Sequence, residues 1–460
     1  MLQPINKLPP EIISYIARSV IGKNDEHPGS IVPLTNVCRY WRGAIISTPE
    51  NWTLIYSEQR GLAKLSLERA KAARLVVSLL FPLKEEFINL LLPRIHNIVS
   101  LSCDGFYPAG ELVQLFPNFP RSMPLLRSLV LDIGTGPRGQ VDPVQADPFD
   151  FSTVTMLTEL SLSFVPLLPS IRALRTLTKL TLFDRHFRVH VDTLLSFLEE
   201  NRSLENASLT IEFKDPSLCL SERRSPIETG LRDLSITGYD VIGVRALTSG
   251  IALQKGATLT LDIYRCGEDA GLTKIFSGVP ATHLSNVLFP TFMEYRHSPR
   301  RIRLLGPDGS FSYEGRDDSE IPFEEFAVLS LAGIRELRLD CTGSWILAHF
   351  RLSFFPALEV LAIDSGSSLS FLSPELPGSE NSPLLRTLAF LDFSITEDFM
   401  ATLTQIAIHR EQNMLTSPLR RISIVNNRWQ FVPYTTVEYL MKHVSVVEVV
   451  KGAKFPEDLS

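Results

Sequence analysis

A short apolar pattern, Leu-x-x-Leu-x-Leu, returns along most of the chain and limits the folds open to it. Copies begin at Leu126, Leu157, Leu177, Leu204, Leu231, Ile334, Leu358, Leu385 and Leu419, with degenerate forms at Leu259–Ile263 and Val444–Val449. The central apolar residue falls at 129, 160, 180, 207 and 234, intervals of 31, 20, 27 and 27, then at 337, 361, 388 and 422, intervals of 24, 27 and 34. Apolar residues alternating over five or six positions describe a strand with one buried face. A single such strand cannot bury that face, so successive copies must stack and share a core. The chain between copies returns by helix or loop, as in Val191–Leu198 (VDTLLSFL).

This pattern and spacing resemble leucine-rich repeats. The resemblance implies an α/β fold in which residues 83–460 form an irregular, horseshoe-like leucine-rich-repeat solenoid. The Asn or Cys usual three residues after the last leucine is mostly replaced, by Gly134, Val165, Arg185, Glu212, Tyr239, Thr342, Gly366 and Phe393, and only Asn427 fits. No asparagine ladder is expected, and curvature should be uneven. Residues 264–330 break the rhythm, and loop insertions are expected near 134–148, 305–320 and 366–383.

Residues 1–56 read differently. Leu8-Pro9-Pro10-Glu11 starts a helix, since proline suits a first turn and Glu11 complements its N-terminus. Ile12, Ile13, Ile16 and Val20 predict its buried face. Pro33 restarts a helix whose apolar stripe is Leu34, Val37, Cys38, Trp41 and Ile45, with Arg39 and Arg42 off the stripe. Residues 57–82 predict a linker helix, with Leu62, Leu65, Arg69 and Ala72 at helical spacing, and then a first strand over Leu75–Phe81.

Three N-terminal blocks, Leu8-Pro9-Pro10-Glu11-Ile12, Val37-Cys38-Arg39-Tyr40-Trp41-Arg42 and Thr48-Pro49-Glu50-Asn51-Trp52, resemble an F-box. The spacer Gly22–Pro33 is longer than in the tightest versions and is similar to that of many basidiomycete fungal F-box proteins. The resemblance implies the substrate-receptor subunit of an SCF-type cullin–RING ubiquitin ligase, in the cytoplasm or nucleus. Its F-box would grip a Skp-type adaptor, and through it cullin, while the repeats hold an unknown target protein. Such a receptor is not an enzyme; it supplies proximity. Leu8, Pro9, Ile12, Ile16, Val37, Cys38 and Trp41 are then the adaptor-binding or F-box-core residues. The alternative is a ubiquitin-independent interaction scaffold in which residues 1–82 cap the repeat array.

Charge argues against two classes of partner. Lys and Arg number 45 against 51 Asp and Glu, a net charge of −6, which disfavours nucleic acid and anionic membrane surfaces. The longest early apolar run, Leu75–Leu83, is far shorter than the roughly 20 residues of a membrane span. Five cysteines at wide spacing, without a CxxC pair, read as isolated thiols in a reducing compartment.

No catalytic, cofactor or metal constellation emerges. Gly134-Thr135-Gly136-Pro137-Arg138-Gly139 matches GxGxxG, but the prolines through Pro148 cannot start the helix a pyrophosphate needs. His186 and His190, four apart in a stretch that reads as strand and turn, are expected to be surface histidines on a loop. Cys38 lies on an apolar stripe without a local histidine, so packing is its expected role. The pairs Arg223-Arg224, Arg300-Arg301 and Arg420-Arg421 read as solvated surface. The residues between the leucines should face outward, and in the first half they are small and hydroxyl-rich. Ser161, Ser163, Thr181, Phe183, Ser208, Thr210, Ser235 and Thr237 form the candidate concave target surface; Val130, Asp132, Arg338, Asp340, Ala362, Asp364, Ala389, Leu391, Ser423 and Val425 are expected to face outward too.

Overall fold

The computed structural model of the protein describes residues 8–23, 31–80, 83–105, 122–133, 151, 154–163, 171, 174–213, 226–238, 241–263, 292–296, 300–306, 309–315, 331–340, 352–364, 382–391, 396–413, 416–426 and 434–451. The expected insertions at 134–148 and most of 366–383, the GxGxxG segment and Asn427 lie outside them. The chain divides into two compact units, Met1–Val189 with Ser196–Glu212, and His190–Leu195 with Phe213–Ser460. It is mixed α/β with a large, mostly parallel sheet.

The first unit opens with helices α1 (Pro10–Lys23), α2 (Ile31–Thr35) and α3 (Arg39–Ser47), then a 3₁₀ turn, Pro49–Trp52. There follow β1 (Leu54–Tyr56), α4 (Arg60–Ala70), β2 (Leu75–Leu80), α5 (Glu85–Leu91), β3 (Ile98–Gly105), β4 (Ser128–Ile133), β5 (Glu159–Ser163) and β6 (Lys179–Val189). Strands β1 to β6 pair parallel, each with the next. Helix α6 (Val191–Glu200) precedes β7 (Asn206–Phe213).

The pattern leucines do what the alternation requires. Leu101, Leu129, Leu160 and Leu180 share one register row, Cys103, Leu131, Leu162 and Leu182 another, and all are buried. Strand β3 is a copy that the leucine pattern does not reveal, because Ile98 and Cys103 stand where leucines would. Burial raises the pKa of the Cys103 thiol, with Asp104 adding to the effect, so it stays protonated and packs as a small apolar group. Two strands, not one, precede the array: β1 pairs with β2, so residues 54–56 belong to the sheet and not to the helical unit. The buried residues of α4 are Ala63, Ser66, Leu67 and Ala70, offset by one from the expected stripe, and Arg69 lies instead across Trp52.

In place of an asparagine ladder, backbone bonds staple the copies at the strand entrances. The Arg127 carbonyl accepts from the N–H of Thr158 (2.8 Å) and Glu159 (2.9 Å), and the Thr158 carbonyl from Thr178 (2.8 Å) and Lys179 (3.0 Å). The second unit repeats the device: Arg335 O accepts from Glu359 and Val360, Glu359 O from Arg386 and Thr387, and Arg386 O from Arg420 and Arg421. Each carbonyl thereby accepts from two successive N–H groups, and in the first unit the Thr158 and Thr178 hydroxyls donate to the same carbonyls, at 3.1 Å each.

The second unit holds β8 (Ile227–Glu228) paired with β10 (Ile251–Ala252), and β9 (Asp233–Gly238) paired with β11 (Thr258–Ile263), with α7 (Val241–Ser249) between β9 and β10. Where the rhythm breaks, the ladder does not. β12 (Phe292–Arg296), β13 (Arg300–Gly306) and β14 (Gly309–Gly315) form an antiparallel meander whose outer strands pair parallel with β15 (Glu336–Asp340) and β11. Within the insertion expected at 305–320, residues 305–306 and 309–315 are instead strand, with Gly306 paired to Gly309; the other residues of that stretch lie outside the described ones. Buried Ile302 and Leu304 sit in line with Leu261 and Leu259 through the β13–β14–β11 registers. Parallel pairing resumes through β16 (Val360–Asp364), β17 (Thr387–Leu391), β18 (Arg421–Asn426) and β19 (Val446–Lys451).

Helix α8 (Glu397–Gln412) sets Phe399 edge-on to Phe390 at 5.3 Å, and α9 (Tyr434–Leu440) precedes β19. Among the described residues no helix is long and apolar enough to cross a membrane.

Candidate functional site

The N-terminal helices sort their apolar residues into a small core and an exposed set. On α1 the core face is Ile13, Ser14 and Ala17, whereas Ile12 is 44% exposed and Ile16 and Val20 are half-buried. This corrects the expected face by one residue, and the reason is polar. Ser14 Oγ donates to Asn51 Oδ1 at 3.0 Å, and Asn51 Nδ2 donates to Ile45 O at 3.3 Å, so a buried serine–asparagine pair fixes the helix rotation. Trp52 Nε1 donates to the same Ile45 carbonyl at 3.0 Å, and the Arg69 guanidinium lies 4.2 Å over the Trp52 ring.

The single stripe expected from Leu34 to Ile45 is broken. Cys38 is extended (φ −163°, ψ 172°) and caps α3, its Sγ accepting from Trp41 N at 3.5 Å, while Arg42 Nε donates to Thr35 O at the end of α2. The break buries Trp41 and Ile45, leaves Leu34 and Cys38 half-buried, and turns Val37 out to 50% exposure. Leu8 is half-buried and Pro9 exposed, and Tyr40 Oη donates to Leu8 O at 2.9 Å, tying the segment before α1 to α3. Of the seven residues singled out, Trp41 is core, and Pro9, Ile12 and Val37 are surface. Three exposed partners were not foreseen: Tyr15 at 65%, Val32 and Tyr40. Heptad spacing marks one face of a helix, but it cannot say which apolar neighbour of that face is left over.

The second candidate surface is the outer row of the sheet. Ser161, Ser163, Thr181, Phe183, Ser208 and Thr210 in the first unit, and Ser235 and Thr237 in the second, are all half-exposed. Registers in the first unit align Ser78, Ser102, Val130, Ser161 and Thr181 in one row, and Leu80, Asp104, Asp132, Ser163 and Phe183 in the next. Asp104 and Asp132 are thus cross-strand neighbours. Partial burial raises the pKa of the Asp132 carboxyl, and the Asp104 charge adds to it. Ser235 and Thr237 stand in register with Thr260 and Asp262.

On β16 to β18 the expectation fails. Ala362, Ala389, Leu391, Ser423 and Val425 are buried, as are Val360 and Thr387 beside them. These strands have both faces covered, and the sequence signal was available: VLAID, TLAFL and ISIV are near-continuous apolar runs, as strands buried on two sides are. Arg338 and Asp364 remain half-exposed.

His186 lies on β6 and exposed His190 directly precedes α6. Among the described residues no three His, Cys, Asp or Glu side chains gather where they could hold a metal. The first surface offers apolar side chains to solvent, the second hydroxyls and carboxylates. Comparison with known family models and with curated proteins finds no match to this chain.

Proposed function

We propose that the protein is a substrate receptor of an SCF-type cullin–RING ubiquitin ligase, its N-terminal helices acting as an F-box on a Skp-type adaptor and its leucine-rich-repeat array holding a target protein. The observation that carries this reading is the exposed apolar set on the small helical unit. Ile12, Tyr15, Val32, Val37 and Tyr40 stay in solvent although α1 to α3 already have a closed core in Ile13, Ala17, Trp41 and Ile45. So many large apolar side chains in about thirty residues exceed what isolated surface exposure needs, and a protein partner would remove them from water.

The test is co-purification of the full chain with a Skp-type adaptor, beside Ile12→Asp/Val37→Asp. Both positions are exposed, so the double variant should melt with the parent while adaptor binding falls at least about a hundredfold, as loss of a central apolar anchor does. Deleting residues 1–56 is a poor alternative, because it removes Trp52 and β1, which pack on α4 and β2. A folded full-length chain that ignores the adaptor rejects the proposal. That same packing favours the second reading, a scaffold capped by its N-terminal helices, which would then lead.

A further inference from the structure

Charges on the outer face of the sheet are settled in different ways. On β15, and between β18 and β19, they pair: Arg338 Nη2 lies 2.7 Å from Glu336 Oε1, and Arg421 Nη2 lies 3.0 Å from Glu448 Oε2. On β3 and β4 the cross-strand neighbours are two carboxylates, Asp104 and Asp132. Their polar contact among the described residues is Ser102 Oγ, at 3.3 and 3.4 Å from the two Asp104 oxygens, and no described cation pairs with either. The same row is bounded by apolar side chains on both sides, Leu80 at 44% exposure and half-exposed Phe183, with Ser163 between Asp132 and Phe183. Like charges directly opposite each other on a sheet are unfavourable by themselves.

We propose that this face docks an extended protein segment that places an arginine or lysine on Asp104 and Asp132 and apolar side chains toward Leu80 and Phe183. The charge complementarity selects the occupant: a phosphate-bearing or acidic ligand would add a third negative group to the row, and a purely apolar one would bury the carboxylates unpaired. An arginine offers a planar fork of donors that two adjacent carboxylates can both accept from. The hydroxyls of Ser161 and Thr181 in the next row supply donors and acceptors for the segment's backbone, and Ser102 Oγ, whose proton is on Asp104, supplies an acceptor. The inference deepens the receptor reading, on which it rests only for the occupant being a ubiquitination target.

The probe is a labelled nonapeptide with one arginine between two leucines in a serine–glycine background, titrated with the full-length protein at low salt by fluorescence polarisation. Sister peptides carry glutamine or glutamate in place of the arginine. Saturable binding is expected for the arginine peptide, weaker by about tenfold for the glutamine peptide and abolished for the glutamate peptide. In Asp104→Asn/Asp132→Asn the preference for arginine over glutamine should vanish, while its thermal melt stays at or above that of the parent. Absence of saturable binding, equal binding of the three peptides, or an unchanged preference in the double variant overturns the proposal. The peptide series on the unaltered protein decides the matter even if the variant misfolds. Adaptor binding separates the two readings: a chain that binds the arginine peptide but no adaptor loses the receptor function and keeps the face, and the converse loses only the face.

Discussion

Strands β4 to β6 and strands β16 to β18 carry the same leucine rows and the same entrance bonds, yet their opposite faces have different fates. On β4 to β6 the intervening residues are Val130, Asp132, Ser161, Ser163, Thr181 and Phe183, and all are half-exposed. On β16 to β18 they include Ala362, Ala389 and Ser423, and all three are fully buried. Ala362, Ala389 and Ser423 share one register row, bordered by Arg338 on one side and Glu448 on the other. Small side chains there allow close approach from above, and charges sit only at the borders. One repeat pattern therefore builds a wet face and a dry one, and the residues between the leucines decide which. The proposed recognition surface lies on the wet face, where Asp104 and Asp132 have no described cation beside them.

The largest expected effect tests the dry face directly. Ala389→Asp places a carboxylate at a fully buried position of a small-residue row, and should cost about 3–5 kcal/mol, the scale of a poorly compensated buried charge. Ser161→Asp, at a half-exposed position on the outer face of β5, should change stability by less than about 0.5 kcal/mol. Urea unfolding of the two variants side by side is the measurement, and equal costs would erase the distinction.

Next in size is Arg410 on α8, a fully buried cation. Its Nη2 donates to Ser382 O and Leu385 O at 3.0 Å each, and its Nε to Ser417 O at 3.3 Å, so it ties the helix to the segments entering β17 and β18. Burial lowers its pKa to about 10, so it remains charged at neutral pH. Arg410→Met strands those carbonyls and should cost about 2–4 kcal/mol by chemical denaturation. Arg410→Lys should recover little, because a single ammonium cannot reproduce the fork. Full rescue by lysine would show that charge alone suffices.

Ser423→Ala offers a smaller and opposite effect. Ser423 Oγ is buried without a hydrogen-bond partner among the described residues, so its removal should stabilise the protein by about 1 kcal/mol, read as a raised midpoint in urea. The equivalent Ser161→Ala should do nothing measurable. Destabilisation by Ser423→Ala would mean that the hydroxyl has a partner after all.

These contrasts also mark what the sequence made legible. Every Leu-x-x-Leu-x-Leu copy is a strand, because period-two alternation under a stacked core leaves the backbone little choice. The meander at 292–315 escaped because its strands do not carry the leucine signature, although their register keeps Ile302 and Leu304 in the same buried rows. The two-sided burial of β16 to β18 was readable in their unbroken apolar runs but was masked by expecting every copy to behave alike. At the N-terminus the first helix was legible, but its rotation was not, nor was the break at Cys38 that splits the second into α2 and α3. Ile13 rather than Ile12 faces inward because of the Ser14–Asn51 bond, which joins residues far apart in sequence. Asp104 as the neighbour of Asp132 needed the β3 copy, hidden by Ile98 and Cys103.

The smallest effect concerns that carboxylate pair and carries a sign that pH reveals. The folded state raises the pKa of Asp132 above its ordinary 3.8, so between that value and the folded one the native protein binds more proton than the unfolded chain. Stability contributed by this group therefore falls as pH rises through the window and is lowest once Asp132 is fully ionised. Asp132→Asn removes the ionisation, and near neutral pH it should stabilise the protein by a few tenths of a kcal/mol, a half-exposed group being well screened. The gain should shrink as pH drops toward 3.8, where the parent carboxyl is itself neutral. The same change should weaken the arginine peptide, so one substitution raises the midpoint of unfolding while lowering affinity. A site kept at a cost to stability because a partner resolves the repulsion must show both, and a variant that gained stability without losing affinity would return Asp132 to ordinary surface.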